Sequence, residues 1–100
     1  MKGRGNGYTG EEAGVLRQAI RHYGKLNQLH VAIEELSELQ KELCKDLRGK
    51  GNRDAIAEEI ADTEIMLEQL KRIYHNDGSV KKWRRAKVAR LARRIIDGEG

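Results

Sequence analysis

Apolar residues recur at helical intervals along almost the whole chain, and no segment shows the period of two that marks a strand. The first periodic run places Val15, Leu16, Ala19, Ile20 and Tyr23 on one side of a helix. It follows Thr9 and Glu12, which have the spacing of a capping box. Gly24 ends or kinks this helix. A second helix is predicted from about Lys25 to Arg48, with Leu29, Ala32, Ile33, Leu36, Leu39, Leu43 and Leu47 as its apolar stripe. The "GKGN" that follows reads as a loop, because Gly49 suits the left-handed position after a helix and Asn52 suits an N-cap. A third helix carries Ile56, Ile60, Thr63, Leu67, Leu70 and Tyr74 to a stop at "HNDGS". A fourth, capped by Ser79, turns Val80, Val88, Leu91 and Ile95 inward. The expectation is an all-α, four-helix bundle-like domain over residues 9–97, with antiparallel central helices, after a flexible Gly-rich segment at 1–8.

Composition adds a constraint on assembly. With 100 residues, 38% of them hydrophobic and no Phe or Pro, the chain is one domain that buries little apolar surface alone. An oligomer, a dimer or a tetramer, is therefore expected to complete the core. No apolar run is long enough to cross a bilayer, and the N-terminal "MKGRGNGYTG" lacks the hydrophobic stretch of a secretory signal, so a soluble cytoplasmic protein with no membrane partner is expected. The single cysteine, Cys44, has no Cys or His at metal-ligand spacing and reads as structural. His22, His30 and His75 show no spacing for a catalytic pair or a zinc site. Charge is distributed unevenly. Residues 81–94, "KKWRRAKVARLARR", carry eight basic and no acidic side chains, which leaves the remainder of a +4 chain net acidic.

The acidic excess is concentrated in a repeat. "IEELSEL" at 33–39 returns 24 positions later as "AEEIADT" at 57–63. At about 100 degrees per residue, Glu35 and Glu38 lie to one side of Leu36, and Glu59 and Asp62 occupy the same angles beside Ile60. If the two helices pack as a hairpin, the four carboxylates converge at the edge of the core. The competing reading is a solvated outer face, where most Glu residues lie. Such a face calls for cations at i±3 or i±4, yet Glu35, Glu59 and Asp62 have none and Glu38 has only Lys41. Like-charged neighbours at these spacings each cost about 0.2–0.5 kcal/mol. A hard divalent cation, Mg²⁺ or alternatively Mn²⁺, would offset the repulsion through oxygen ligands.

The pair "EELSE" and "EIAD", with 20 residues between Glu38 and Glu59, resembles the EExxE and ExxD signature of the MazG-like all-α nucleoside triphosphate pyrophosphohydrolases, over about Gln28 to Arg94. The resemblance implies a Mg²⁺ site at Glu35, Glu38, Glu59 and Asp62, and cleavage of a nucleoside triphosphate between its α and β phosphates. Glu34, the leading acid of the first motif, is then the candidate proton acceptor, with a solvated helix residue as the alternative. A basic residue followed three later by Asn or Arg, some 25 positions past the ExxD acid, holds phosphates in that family. "KVAR", Lys87 to Arg90, matches it, and Arg94 lies on the same side. Gln28, two turns before Glu35, is a candidate nucleotide contact.

Two other classes compete. A nucleic-acid-binding protein would use the basic run on phosphates with Trp83 stacking on a base, but it leaves the doubled acidic motif without a purpose. An interaction module would set the acidic faces of one subunit against the basic run of another and would hydrolyse nothing. The enzyme reading is preferred, with nucleic acid the less favoured partner.

Overall fold

A computed structural model describes residues 7–98. Among these residues the chain is four helices with no strand: α1 (Gly10–Tyr23), α2 (Lys25–Leu47), α3 (Arg53–Tyr74) and α4 (Asp77–Ile96). Most of the segment expected to be flexible, residues 1–6, lies outside the described residues. None of the described helices is long and apolar enough to cross a membrane.

Local signals set most boundaries. The Thr9 backbone N–H donates to Glu12 Oε1 at 2.9 Å, and the Glu12 N–H donates to Thr9 Oγ1 at 3.0 Å, so two orphan donors at the start of α1 are satisfied reciprocally. Gly24 adopts φ +87°, which a side chain would oppose, while its N–H bonds the Ile20 carbonyl; one residue ends α1 and starts α2. After α2 the chain turns through Gly49 at φ +78°, and Asn52 Oδ1 accepts the N–H groups of Asp54 and Ala55 at 2.9 and 3.0 Å. The fourth helix departs from expectation. Ser79 lies within it, and the position before it is Asn76, whose side chain makes no capping bond. The chain leaves α3 through His75 in the left-handed region, φ +52°, and enters α4 three residues earlier than the Ser79 cap implied.

Two contacts establish that α2 and α3 run antiparallel. The Thr63 hydroxyl donates to the Glu35 backbone carbonyl at 3.4 Å, and the Gln69 amide donates to Gln28 Oε1 at 3.3 Å, so position falls on one helix as it rises on the other. α1 packs against both. Side-chain burial differs from the predicted stripes. On α2 the face turned inward is Gln28, Ala32, Glu35, Leu39 and Glu42, while Ile33, Leu36, Leu43 and Leu47 are exposed. On α3, Thr63, Met66, Gln69 and Ile73 point inward, while Ile60, Leu67 and Tyr74 are exposed. The apolar stripes are wider than a two-helix contact can cover, and the seam forms along their polar margin. Cys44, expected to serve packing, is exposed.

Among the described residues α4 touches α3 alone and buries none of its own, so Val88, Leu91 and Ile95 are exposed rather than inward-facing, and Val80 is only half-buried. Its exit from α3 is tethered by charge. Lys71 bridges buried Glu68 at 3.0 Å and Asp77 at 3.6 Å, and Asp77 also meets Lys81 at 3.2 Å. The hydrogen bond from Lys81, helped by the charges of Lys81 and Lys71, holds the Asp77 carboxyl below its ordinary 3.8. The radius of gyration, 16.3 Å, exceeds the roughly 13 Å of a compact domain of this length.

The hairpin loop yields a test. A Cβ on Gly51 would sit 2.7 Å from the Asp46 Cα, inside any real contact, whereas one on Gly14 meets only the tip of the Arg17 side chain at 3.6 Å. Gly51→Ala is expected to lower stability by about 1–3 kcal/mol in urea unfolding. Gly14→Ala, within a helix, is expected to raise it by about 0.5–1 kcal/mol. Equal effects of the two would contradict the loop geometry.

Candidate metal centre

The antiparallel seam decides which carboxylates meet. Glu59 and Asp62, three apart on α3, share a face, and the Thr63 bond to the Glu35 carbonyl fixes the register that brings α2 opposite them. Glu35, Glu59 and Asp62 each offer an oxygen such that all three lie within 4.8 Å of one another, and all three residues are half-buried. Glu38, expected to complete the set, stands outside this triad and is exposed, one turn farther along α2. Glu34 is also exposed.

Electrostatics within the cluster are unfavourable for three negative charges. Glu59 Oε1 is enclosed and has no hydrogen-bond partner. Burial first, then the charges of Glu35 and Asp62, a hydrogen bond shared with Glu35 and the charge of Glu38 all push the Glu59 carboxyl above its ordinary 4.5. A proton or a cation is the natural counterweight. The donors are all carboxylate oxygens at the half-buried edge of the seam, without His or Cys, which fits a hard, octahedral, partly hydrated ion better than zinc.

The remaining sequence-derived candidates are placed apart from the triad. Gln28 is buried on the same seam, two turns from Glu35, with its carbonyl oxygen bonded by Gln69. Lys87, Arg90 and Arg94 lie on α4, which makes no contact with α2. Two features of the seam were missed from sequence. Gln69, 1% exposed, leaves its Oε1 without a donor. Glu42, 9% exposed, is bonded by Lys45 at 3.2 Å through one oxygen while the other is unpartnered. The heptad spacing of Gln28, Glu35 and Glu42 was the available signal, since it marks one face of α2.

No protein-family profile, no curated protein and no solved structure matches the chain.

The weakened acidity of Glu59 makes stability depend on pH. A carboxyl that holds its proton more tightly folded than unfolded contributes stability below its ordinary value of 4.5, and loses it as pH rises through the higher folded value. In EDTA, Glu59→Gln is expected to flatten the fall in melting temperature between pH 4.5 and 7. Millimolar Mg²⁺ is expected to raise the melting temperature at pH 7 but not at pH 4.5, by about 4–8 °C for each kcal/mol of binding. A Mg²⁺ shift of the same size in Glu59→Gln would place the ion elsewhere.

Proposed function

We propose that the chain is a Mg²⁺-dependent nucleoside triphosphate pyrophosphohydrolase of the MazG-like kind, cleaving between the α and β phosphates to give a nucleoside monophosphate and pyrophosphate. The observation that carries this reading is the unpartnered Glu59 oxygen held among Glu35 and Asp62. Those three residues, with Glu38 approaching from the exposed side, would hold the ion. Mg²⁺, when bound, supplies positive charge to the phosphate oxygens and makes water a stronger nucleophile.

The chain's own residues have separable tasks. Glu34, solvent-exposed and adjacent to Glu35, accepts the proton of the attacking water. Lys87, Arg90 and Arg94 neutralise the triphosphate, and Gln28 keeps its amide N–H for a nucleotide contact. Because α4 stands away from α2 within one chain, we take the working form to be a dimer or a tetramer. Exposed Leu36, Leu43, Ile60 and Leu67 on the hairpin and Val88, Leu91 and Ile95 on α4 provide the apolar surface for it.

Two measurements test the reading. Pyrophosphate release from a panel of ribo- and deoxynucleoside triphosphates is expected to require Mg²⁺, to stop in Glu59→Gln and Glu38→Ala, and to slow by about 10²–10⁴-fold in Glu34→Gln. Release that persists in EDTA, or none from any nucleotide by the folded protein, would overturn it. Light scattering is expected to give a multiple of the 11.4 kDa chain mass, reduced by Leu36→Asp; a single-chain mass at micromolar concentration would contradict the assembly.

A further inference from the structure

α4 carries a face that the proposed chemistry does not use. At about 100 degrees per residue its circumference divides into three arcs. Val80, Val88, Leu91 and Ile95 occupy the apolar arc, which also carries Arg84. Arg90, Arg94 and Lys87 occupy a second, with Trp83 among them and the Lys87 ammonium 5.8 Å from the centre of its ring. The third arc, about 140 degrees wide, is made of Lys81, Lys82, Arg85 and Arg93 with Ala86, Ala89 and Ala92 between them and Ile96 at its end.

This third arc is free in the fold. Every residue of it is exposed. Among the described residues, Lys81 pairs with Asp77, while no carboxylate pairs with Lys82, Arg85 or Arg93. Lys81 and Arg85 also line, with Arg84 and Val88, a shallow recess of about 380 Å³. From Lys81 to Arg93 the arc is cations and alanines with no acid, complementary to a polyanion, and its one bulky apolar side chain, Ile96, stands at the helix C-terminus.

Its dimensions favour one polyanion. Arg85 and Arg93 are eight residues apart, about 12 Å along the axis, with the alanines between them. The major groove of B-form DNA is about 12 Å wide and admits a helix of about that diameter; with the arc turned into it, Arg85 lies toward one wall and Lys82 and Arg93 toward the other, each within reach of phosphates, with Ala89 between them facing the floor. The deep, narrow major groove of duplex RNA does not admit one. We propose that α4 docks this arc on B-form duplex DNA through its phosphates, without reading sequence, as a function separate from the acidic seam.

The test is fluorescence anisotropy with a 20-base-pair duplex of random sequence, in EDTA, using the full chain. Three phosphate contacts, from Lys82, Arg85 and Arg93, predict that affinity falls by about 40-fold between 50 and 200 mM salt. The variant Lys82→Gln/Arg85→Gln/Arg93→Gln, whose fold circular dichroism would check, is expected to lower the logarithmic salt slope by nearly one for each cation removed. The same variant is expected to leave pyrophosphate release unchanged, so failure here is distinguishable from failure of the enzyme reading. No binding at 50 mM salt, an unaltered slope in the variant, or equal affinity for duplex RNA would overturn the proposal. So would a drop in light-scattering mass on the triple substitution, which would show that another copy of the chain covers the arc.

Discussion

The structure is organised around an electrostatic conflict on the α2–α3 seam. Packing two helices antiparallel, in the register set by the Thr63 and Gln69 hydrogen bonds, forces Glu35, Glu59 and Asp62 to share a space where their oxygens lie within 4.8 Å. In water such charges would separate. Here the register keeps their attachment points close, so only rotation of the side chains could part them. Their proximity, with burial, raises the affinity of Glu59 for a proton, and in the proposed function a divalent ion would take the proton's place.

That arrangement explains a seam that would otherwise be poor engineering for stability. Among the described residues the buried hydrophobic ones are Leu16, Ala32, Met66 and Ile73, beside buried Gln28, Glu42, Thr63, Glu68 and Gln69. Buried polar groups that are only half satisfied, as in Glu42 and Gln69, destabilise a core unless they specify something. What the Gln28–Gln69 and Thr63–Glu35 pairs specify is register, and register is what aligns the carboxylates. The hydrophobic side chains displaced by this choice lie outward on α2, α3 and α4, where the proposed assembly would use them.

The sequence was legible where the signals are local. Thr9 with Glu12, Gly24, Gly49 and Asn52 each act within a few residues, and the corresponding helix ends fall where those residues imply. The acidic repeat was also readable, because three- and four-residue spacings fix angles on a helix whatever the helix packs against. Helix rotation was not readable. Ile33 and Leu36 are more apolar than Gln28 and Glu35, yet the seam formed along the latter, since which side of a broad stripe faces inward depends on the partner helix. For the same reason Glu38 fell just outside the triad, and the apolar arc of α4 found no cover among the described residues. Ser79 failed as a cap because the charged link of Lys71, Asp77 and Lys81 lets α4 begin sooner.

The most direct test of the central claim is a Mn²⁺ titration at neutral pH followed by electron paramagnetic resonance, in which the signal of the free aqueous ion is lost on binding. The account predicts that the signal is suppressed until one equivalent per chain has been added, and that Glu59→Gln restores it from the first addition. A wild-type protein that leaves the free-ion signal undiminished, or a Glu59→Gln variant that suppresses it equally, would show that the carboxylates meet on the seam for some purpose other than holding a metal.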